Sequence, residues 1–540
     1  MATQDFTTSI QPCSPQGGFQ NEPFTDFKVP ENARAMQSAL DLASGQMGRE
    51  YDLVIGGHRL KTEGKIRSLN PARPTQLVGL HQQAGAAEAE TAMKAALLAF
   101  ESWSRTSAEE RASLLLNAAR IIRNRKFEFS AWLTFEVGKN WAEADADVGE
   151  AIDFLEFYAR EALRLATVQP PIQFPGERCE LLYIPLGVGA VIPPWNFPFA
   201  IMAGMTSASI VTGNTVVLKP SSDAPTIAAK FVEVLEEAGM PGGVVNFCPG
   251  SGATFGNALV EHPQTRFIAF TGSKKVGLEI HERAAKARPG QIWIKRTILE
   301  MGGKDAILVS ADADLEAAVE GVVAAAFGFS GQKCSACSRA IVEAPVYGLF
   351  VERLRERVAQ LTVGAPAANP NLGPVINQAA LDSMLRYIET GKKEGRLLAG
   401  GRAIQIPGSD CAGGYFLEPT IFGEVAPEAV LAQEEIFGPV LALIKVSSFE
   451  EGLKAANGTE YGLTGSVYSA DRAKLDRARR EFHVGNLYFN RKCTGAMVGA
   501  HPFGGFNLSG TDSKAGGPDY LLLFTQAKSV AEALRAADAR

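Results

Sequence analysis

The 540-residue chain sets 53 Lys and Arg against 59 Asp and Glu, a formal net charge of -6, with 46% hydrophobic and 21% charged residues. That is an ordinary globular composition, and without a basic run it excludes an electrostatic case for nucleic acid or an anionic membrane as partner. No stretch reaches about 18 apolar residues, so no membrane-spanning helix is expected.

The length suits two or three domains. Seven scattered cysteines, Cys13, Cys179, Cys248, Cys334, Cys337, Cys411 and Cys493, form an odd set that suits a reducing compartment. With no charged-then-apolar leader at the start, the expected location is the cytoplasm. Residues 1–50 read as a loose segment leading into a helix at 32–42. Short strands are predicted at 51–58 and 76–80, helical spacing covers 86–135 with a start at 106–110, and 141–165 continues as a long helix bearing Glu150.

Strands are then predicted at 181–192, 215–218, 244–247 and 267–270, the second and third joined by a helix at 224–238. Strands alternating with helices at this spacing indicate an α/β fold with a doubly wound parallel sheet. A second α/β region opens at 306–309 and runs to about 446, followed by a strand at 486–490 and a Gly-rich loop at 494–505. The aromatic segment 520–524 reads as a pairing edge for an oligomer.

The chemistry centres on Gly331-Gln332-Lys333-Cys334-Ser335-Ala336-Cys337. Held near a helix start, Cys334 would be favoured as a thiolate nucleophile. Two other readings stand beside this one: an inert buried cysteine, and a C-x-x-C redox pair with Cys337. Glu300 could equally be a solvated strand-end carboxylate, Asn196 a turn residue between prolines, and Glu150 part of a solvated acidic helix face. The six histidines show no ligand spacing, and no metal is expected.

Taken in order, Pro194-Trp195-Asn196-Phe197-Pro198, Leu218-Lys219-Pro220, Phe270-Thr271-Gly272-Ser273, Leu299-Glu300-Met301-Gly302-Gly303-Lys304, Gly331-Gln332-Lys333-Cys334, Glu434-Glu435-Ile436-Phe437-Gly438-Pro439 and Pro502-Phe503-Gly504-Gly505 resemble the aldehyde dehydrogenase superfamily. The resemblance implies a doubly wound parallel-sheet cofactor domain at 51–305, with 166–185 lent to a small oligomerisation sheet. It also implies an α/β catalytic domain at 306–490, and a substrate-anchoring loop and oligomerisation segment at 491–540. Cys334 would attack an aldehyde, the Asn196 amide would hold the oxyanion, and Glu300 would activate the water that hydrolyses the thioester.

For NAD, the resemblance implies Pro193, Trp195, Lys219, Ser222, Gly252, Gly272, Ser273, Val276, Glu435 and Phe437. Ser222 stands where many NAD-specific relatives carry a glutamate, so some tolerance of NADP is expected. Residues 494–499 and 510–518 look most like the branch that oxidises L-glutamate γ-semialdehyde in proline degradation. In that pattern Ser335, Gly495 and Ala496 hold the substrate carboxylate, Glu150 meets its ammonium, and Phe197 and Phe503 flank its stem. A homo-oligomer built from dimers and a proline dehydrogenase partner also follow as expectations. An NAD(P)-dependent dehydrogenase of another semialdehyde or aldehyde is the first alternative; transfer of the acyl group to coenzyme A and a non-catalytic scaffold are further ones, and the presence of Glu300 and Cys334 speaks against these last two in turn.

Overall fold

The computed structural model describes residues 18–167, 171–406 and 411–534. Cys13 and the first 17 residues of the expected N-terminal segment lie outside the described residues, as do 168–170 and 535–540 within the two expected oligomerisation segments.

Five helices open the chain: α1 (Pro30–Gly45), α2 (Ala86–Trp103), α3 (Ala108–Asn124), α4 (Lys126–Glu136) and α5 (Trp141–Ala166). Pro30 begins α1, where its missing N–H costs nothing, and Met36, Ala39, Leu40 and Ala43 bury one face. Ser107 and Glu110 form a capping box that starts α3 within the predicted 106–110. The helix α5 departs from the amphipathic expectation. Asp145, Asp147, Asp153 and Glu156 are all buried on it, so its acids do not form a solvated face.

Seven strands form the first sheet, in the order Arg296–Glu300, Thr265–Thr271, Val188–Ile192, Thr215–Leu218, Val245–Phe247, Leu53–Ile55 and His58–Leu60. The first five pair in parallel, and the last two close one edge antiparallel. Apolar clusters on both faces explain the continuous Val, Ile and Phe runs of these strands. From Val188–Ile192 the chain progresses outward in one direction, then returns to place Thr265–Thr271 on the other side. The crevice at the strand ends beside this reversal is where doubly wound sheets take ligands.

The second sheet runs Arg396–Ala399, Thr420–Gly423, Val440–Val446, Cys337–Glu343, Asp305–Val309, Thr464–Tyr468 and Asn486–Phe489, parallel except at its first pair. It too is covered on both faces. Only residues 301–304 separate the end of Arg296–Glu300 in one sheet from the start of Asp305–Val309 in the other.

Two predicted elements are corrected. The strand expected at 181–192 is two strands, Glu177–Pro185 and Val188–Ile192, parted at Gly187 with φ +140. Residues 520–524 are not a pairing edge: they form a short 3-10 turn with Tyr520, Leu521 and Phe524 buried. The pairing strand is the next one, Thr525–Ala533, which joins Glu177–Pro185 in a two-stranded ribbon.

Candidate active site

Two cavities meet at one sulfur. A groove of ≈ 760 Å³ runs along the strand ends of the first sheet, and a second cavity of ≈ 560 Å³ lies between α5, the start of helix α6 (Ala200–Val211) and residues 494–503. Cys334 and Thr271 line both.

The sulfur is not at a helix start, as the sequence suggested. The helix Leu315–Phe327 ends before it, Phe329, Ser330 and Gly331 turn the chain through positive φ, and Cys334 sits in the turn that leads into Cys337–Glu343. Gln332 pins this turn: its Oε1 accepts from Ile376 N at 2.8 Å, and its Nε2 donates to Phe329 O and Pro374 O. Burial, followed by the charges of Asp305, Glu435 and Glu300, pushes the Cys334 thiol well above its usual range. The thiol is therefore protonated at rest.

Cys337 does not complete a redox pair. It is buried, donates to Arg339 O at 3.4 Å and lies against the thiol of Cys493, while Cys334 faces the cavities.

Asn196 lines the groove at 4% exposure, and its Nδ2 donates to Gln332 O at 3.1 Å, tying it to the Cys334 turn. Neither of the backbone N–H groups of Cys334 and Asn196 donates to another backbone or side-chain group among the described residues. Glu300 lines the smaller cavity. Its Oε1 accepts from Ser513 Oγ, its Oε2 has no hydrogen-bond partner, and burial raises its pKa to about 8. Gly504 must be glycine here, since a Cβ would fall 1.5 Å from Ser513 O.

Every residue singled out for the cofactor lines the larger groove: Pro193, Trp195, Lys219, Ser222, Gly252, Gly272, Ser273, Val276, Glu435 and Phe437. Ser273 caps the helix Lys274–Ala285, so the groove meets a helix N-terminus that favours phosphate. Burial lowers the pKa of Lys219 to about 8, and its Nζ donates to Pro220 O. Glu435 approaches Gly302 so closely that a Cβ there would lie 2.1 Å from its Oε2. The long, glycine-paved groove ends at Cys334 and fits an extended dinucleotide.

Those singled out for the substrate line the smaller cavity: Glu150, Phe197, Ser335, Gly495, Ala496 and Phe503. One guanidinium nitrogen of Arg491 donates to the carbonyls of Thr494 and Gly495, at 2.9 and 3.0 Å. The amides of Gly495 and Ala496 donate to no other group among the described residues, so both are available to an anion in the cavity. Burial first, then Asp147, raises Glu150 to about 8.

The sequence missed a charged floor. Lys333 bonds both oxygens of Glu143 at 2.7 Å, while Lys139 pairs with Asp147 at 2.9 Å and stands 3.8 Å from the centre of the Phe197 ring. Burial alone would raise Glu143, but Lys333 outweighs it and the net shift is downward. Asp147 also accepts from Ala200 N, fixing the start of α6 just after Asn196 and Phe197. Only the adjacency of Lys333 to Cys334 signalled any of this in the sequence.

The family model described as the aldehyde dehydrogenase family matches residues 59–530. The chain belongs to the aldehyde dehydrogenase family. Among relatives of this aldehyde dehydrogenase, the 1-pyrroline-5-carboxylate dehydrogenase of Geobacillus kaustophilus is 59% identical over 515 residues, covering 95% of this chain and 99% of that protein. A crystal structure of 1-pyrroline-5-carboxylate dehydrogenase from Thermus with bound NAD is 52% identical and superposes with a TM-score of 0.94. That match covers 96% of this chain and 99% of the Thermus one. Proline utilization A from Bdellovibrio bacteriovorus, inactivated by N-propargylglycine, also superposes at 0.94 with 46% identity, over 96% of this chain but 54% of that one.

Proposed function

We propose that this aldehyde dehydrogenase oxidises L-glutamate γ-semialdehyde, the open form of 1-pyrroline-5-carboxylate, to L-glutamate with reduction of NAD. The observation that carries the reading is the meeting at Cys334 of a long groove and a second cavity lined by Glu150 and the Gly495–Ala496 loop. The cavity offers amides for a carboxylate and an acid for an ammonium, and an α-amino acid carries both on one carbon. The high identity to relatives bearing that name points the same way.

Cys334 releases its proton to solvent as its sulfur bonds to the aldehyde carbon. Asn196 Nδ2 and the Cys334 N–H hold the oxygen that becomes negative. Bound NAD supplies the hydride acceptor, and the adduct on Cys334 becomes a thioester. Glu300 then takes a proton from water as the water oxygen bonds to the thioester carbon, and the carbon–sulfur bond breaks to release the acid and the thiol. With a pKa of about 8, Glu300 is poised near working pH for that task.

In this reading residues 51–305 form the NAD-binding domain, 306–490 the catalytic domain and 491–540 the anchoring loop and oligomerisation segment. The ribbon of Glu177–Pro185 and Thr525–Ala533, with Ile172 97% and Phe174 66% exposed beside it, supports a dimer-based homo-oligomer. Among the described residues no helix is long and apolar enough to cross a membrane, and the reading places the protein in the cytoplasm. A proline-oxidising partner belongs to it as the source of the substrate.

A substrate panel tests the proposal, with NAD reduction as readout and L-glutamate γ-semialdehyde, succinate semialdehyde and propanal compared. The expected kcat/KM is at least about tenfold higher for the first, one well-made polar contact being worth that much. A preference for propanal overturns the substrate assignment, and NAD reduction that requires added coenzyme A and yields acyl-CoA in place of the free acid overturns the hydrolytic step.

A further inference from the structure

One wall of the aldehyde cavity takes no part in the chemistry above. Residues 18–26 run without regular structure along the N-terminal half of α5, and Glu22, Phe24 and Thr25 line the cavity. The family model begins at residue 59, so this segment lies outside the region the model matches.

The segment is docked along its whole length. Phe19 meets Phe157 edge-on at 5.2 Å and lies so close to Gly499 that a Cβ there would fall 3.1 Å from its ring. Glu22 N donates to Asp153 Oδ1 at 2.6 Å, and the Glu22 carboxylate accepts from Arg123. Thr25 gives both its N–H and its hydroxyl to Asp145, and Phe27 packs edge-on against Trp141 at 5.5 Å. Asp145 and Asp153 are buried, and both take hydrogen bonds from this segment. The segment therefore stays in place rather than opening and closing.

Asn21 does something the other anchors do not. Its Nδ2 forks between Asp153 Oδ2 at 2.8 Å and Val498 O at 3.0 Å. Asp153 is one turn beyond Glu150 on α5, and Val498 is in the same loop as Gly495 and Ala496. One amide thus bonds both the helix that carries the acid for an ammonium and the loop that carries the amides for a carboxylate.

We propose that residues 18–29 are a specificity strap of the aldehyde site, with Asn21 as a positioning residue that sets the spacing between Glu150 and the Gly495 and Ala496 amides. The inference rests on the substrate reading above and deepens it. Two charges on one carbon have a fixed separation, so a substrate with an α-amino acid head senses any shift between these two walls. A plain aldehyde has no such head and does not.

The test is the variant Asn21→Ala, assayed with L-glutamate γ-semialdehyde, propanal and NAD. The KM for the semialdehyde is expected to rise about tenfold or more with kcat little changed, a loss typical of misplaced binding groups. The KM values for propanal and NAD are expected to stay within about twofold, as neither contacts the bridged walls. Should Asn21→Ala yield no folded protein, Thr25→Val, which removes one hydroxyl bond to Asp145, reads the same split at smaller size.

An unchanged KM for the semialdehyde, or a parallel rise for propanal, overturns the strap's role. Wild-type enzyme with no preference for the semialdehyde over propanal overturns the substrate reading and the strap with it. Wild-type preference that survives in Asn21→Ala overturns the strap alone.

Discussion

Replacing Glu300 by Gln separates the two halves of the proposed reaction. The change is nearly isosteric: the Gln Oε1 keeps the hydrogen bond from Ser513, and its amide group takes the place of Oε2, which has no partner to lose. The fold is therefore retained, and what disappears is a base. General base catalysis is worth about 10²–10⁴ in rate, roughly 3–5 kcal/mol of barrier, and that loss should fall on thioester hydrolysis alone. Rapid mixing with excess aldehyde and NAD should show a first turnover close to one NADH per chain, then a steady rate lower by at least about 100-fold.

The pH dependence fixes the sign. The ionised carboxylate is the working form and Glu300 titrates at about 8, so hydrolysis-limited turnover of the wild type should climb as pH rises through 8. About a tenth of Glu300 is ionised one unit below its pKa and half at the pKa, a gain of roughly fivefold that the Gln variant should lack. A variant that loses the first turnover as severely as the steady rate would show that Glu300 activates the Cys334 thiol rather than water. Full steady-state activity in the variant would remove it from the mechanism.

Asn196→Ala should instead slow the first turnover, by about 10²–10³, because the lost donor serves the oxyanion formed when Cys334 attacks. A burst of normal rate in that variant would refute the role. Ser222→Glu, in the wall of the groove that holds Lys219, should raise the KM for NADP by about tenfold or more through repulsion of the extra phosphate, while the KM for NAD moves little. Equal effects on both coenzymes would place the 2′ position elsewhere. Cys337→Ser should keep activity within about twofold, since a hydroxyl can take the thiol's bond to Arg339 O and its contact with Cys493, and neither reaches the cavities. Loss of turnover there would revive the redox-pair reading.

How much of this was legible in the sequence depended on where each residue's partners lie. The doubly wound sheet followed from apolar runs broken by turns, because buried parallel strands need continuous Val, Ile and Phe whatever they pack against. The glycine at 504 has a packing reason that the sequence motif carries, since a Cβ there would meet the backbone oxygen of Ser513. The setting of Cys334 could not. Its turn depends on Phe329 and Ser330 at φ 50 and 54, a conformation those residue types seldom take and do not advertise.

The acids of α5 show the same limit more sharply. A helix with five carboxylates in twelve residues reads as solvated when judged by its own periodicity. In the structure Asp147 meets Lys139, Asp145 meets Lys126 and Thr25, Asp153 meets Asn21, and Glu156 meets Arg123 and Arg160. Five of those six partners lie outside the helix, so its burial was decided by side chains outside its own pattern. Among the described residues Glu150 is the exception, with no hydrogen-bond or ion-pair partner for its carboxylate and a pKa raised by burial to about 8. An acid left uncompensated among compensated neighbours, facing a cavity, is what a cationic substrate group would complete, and that asymmetry appears only once the helix is seen packed.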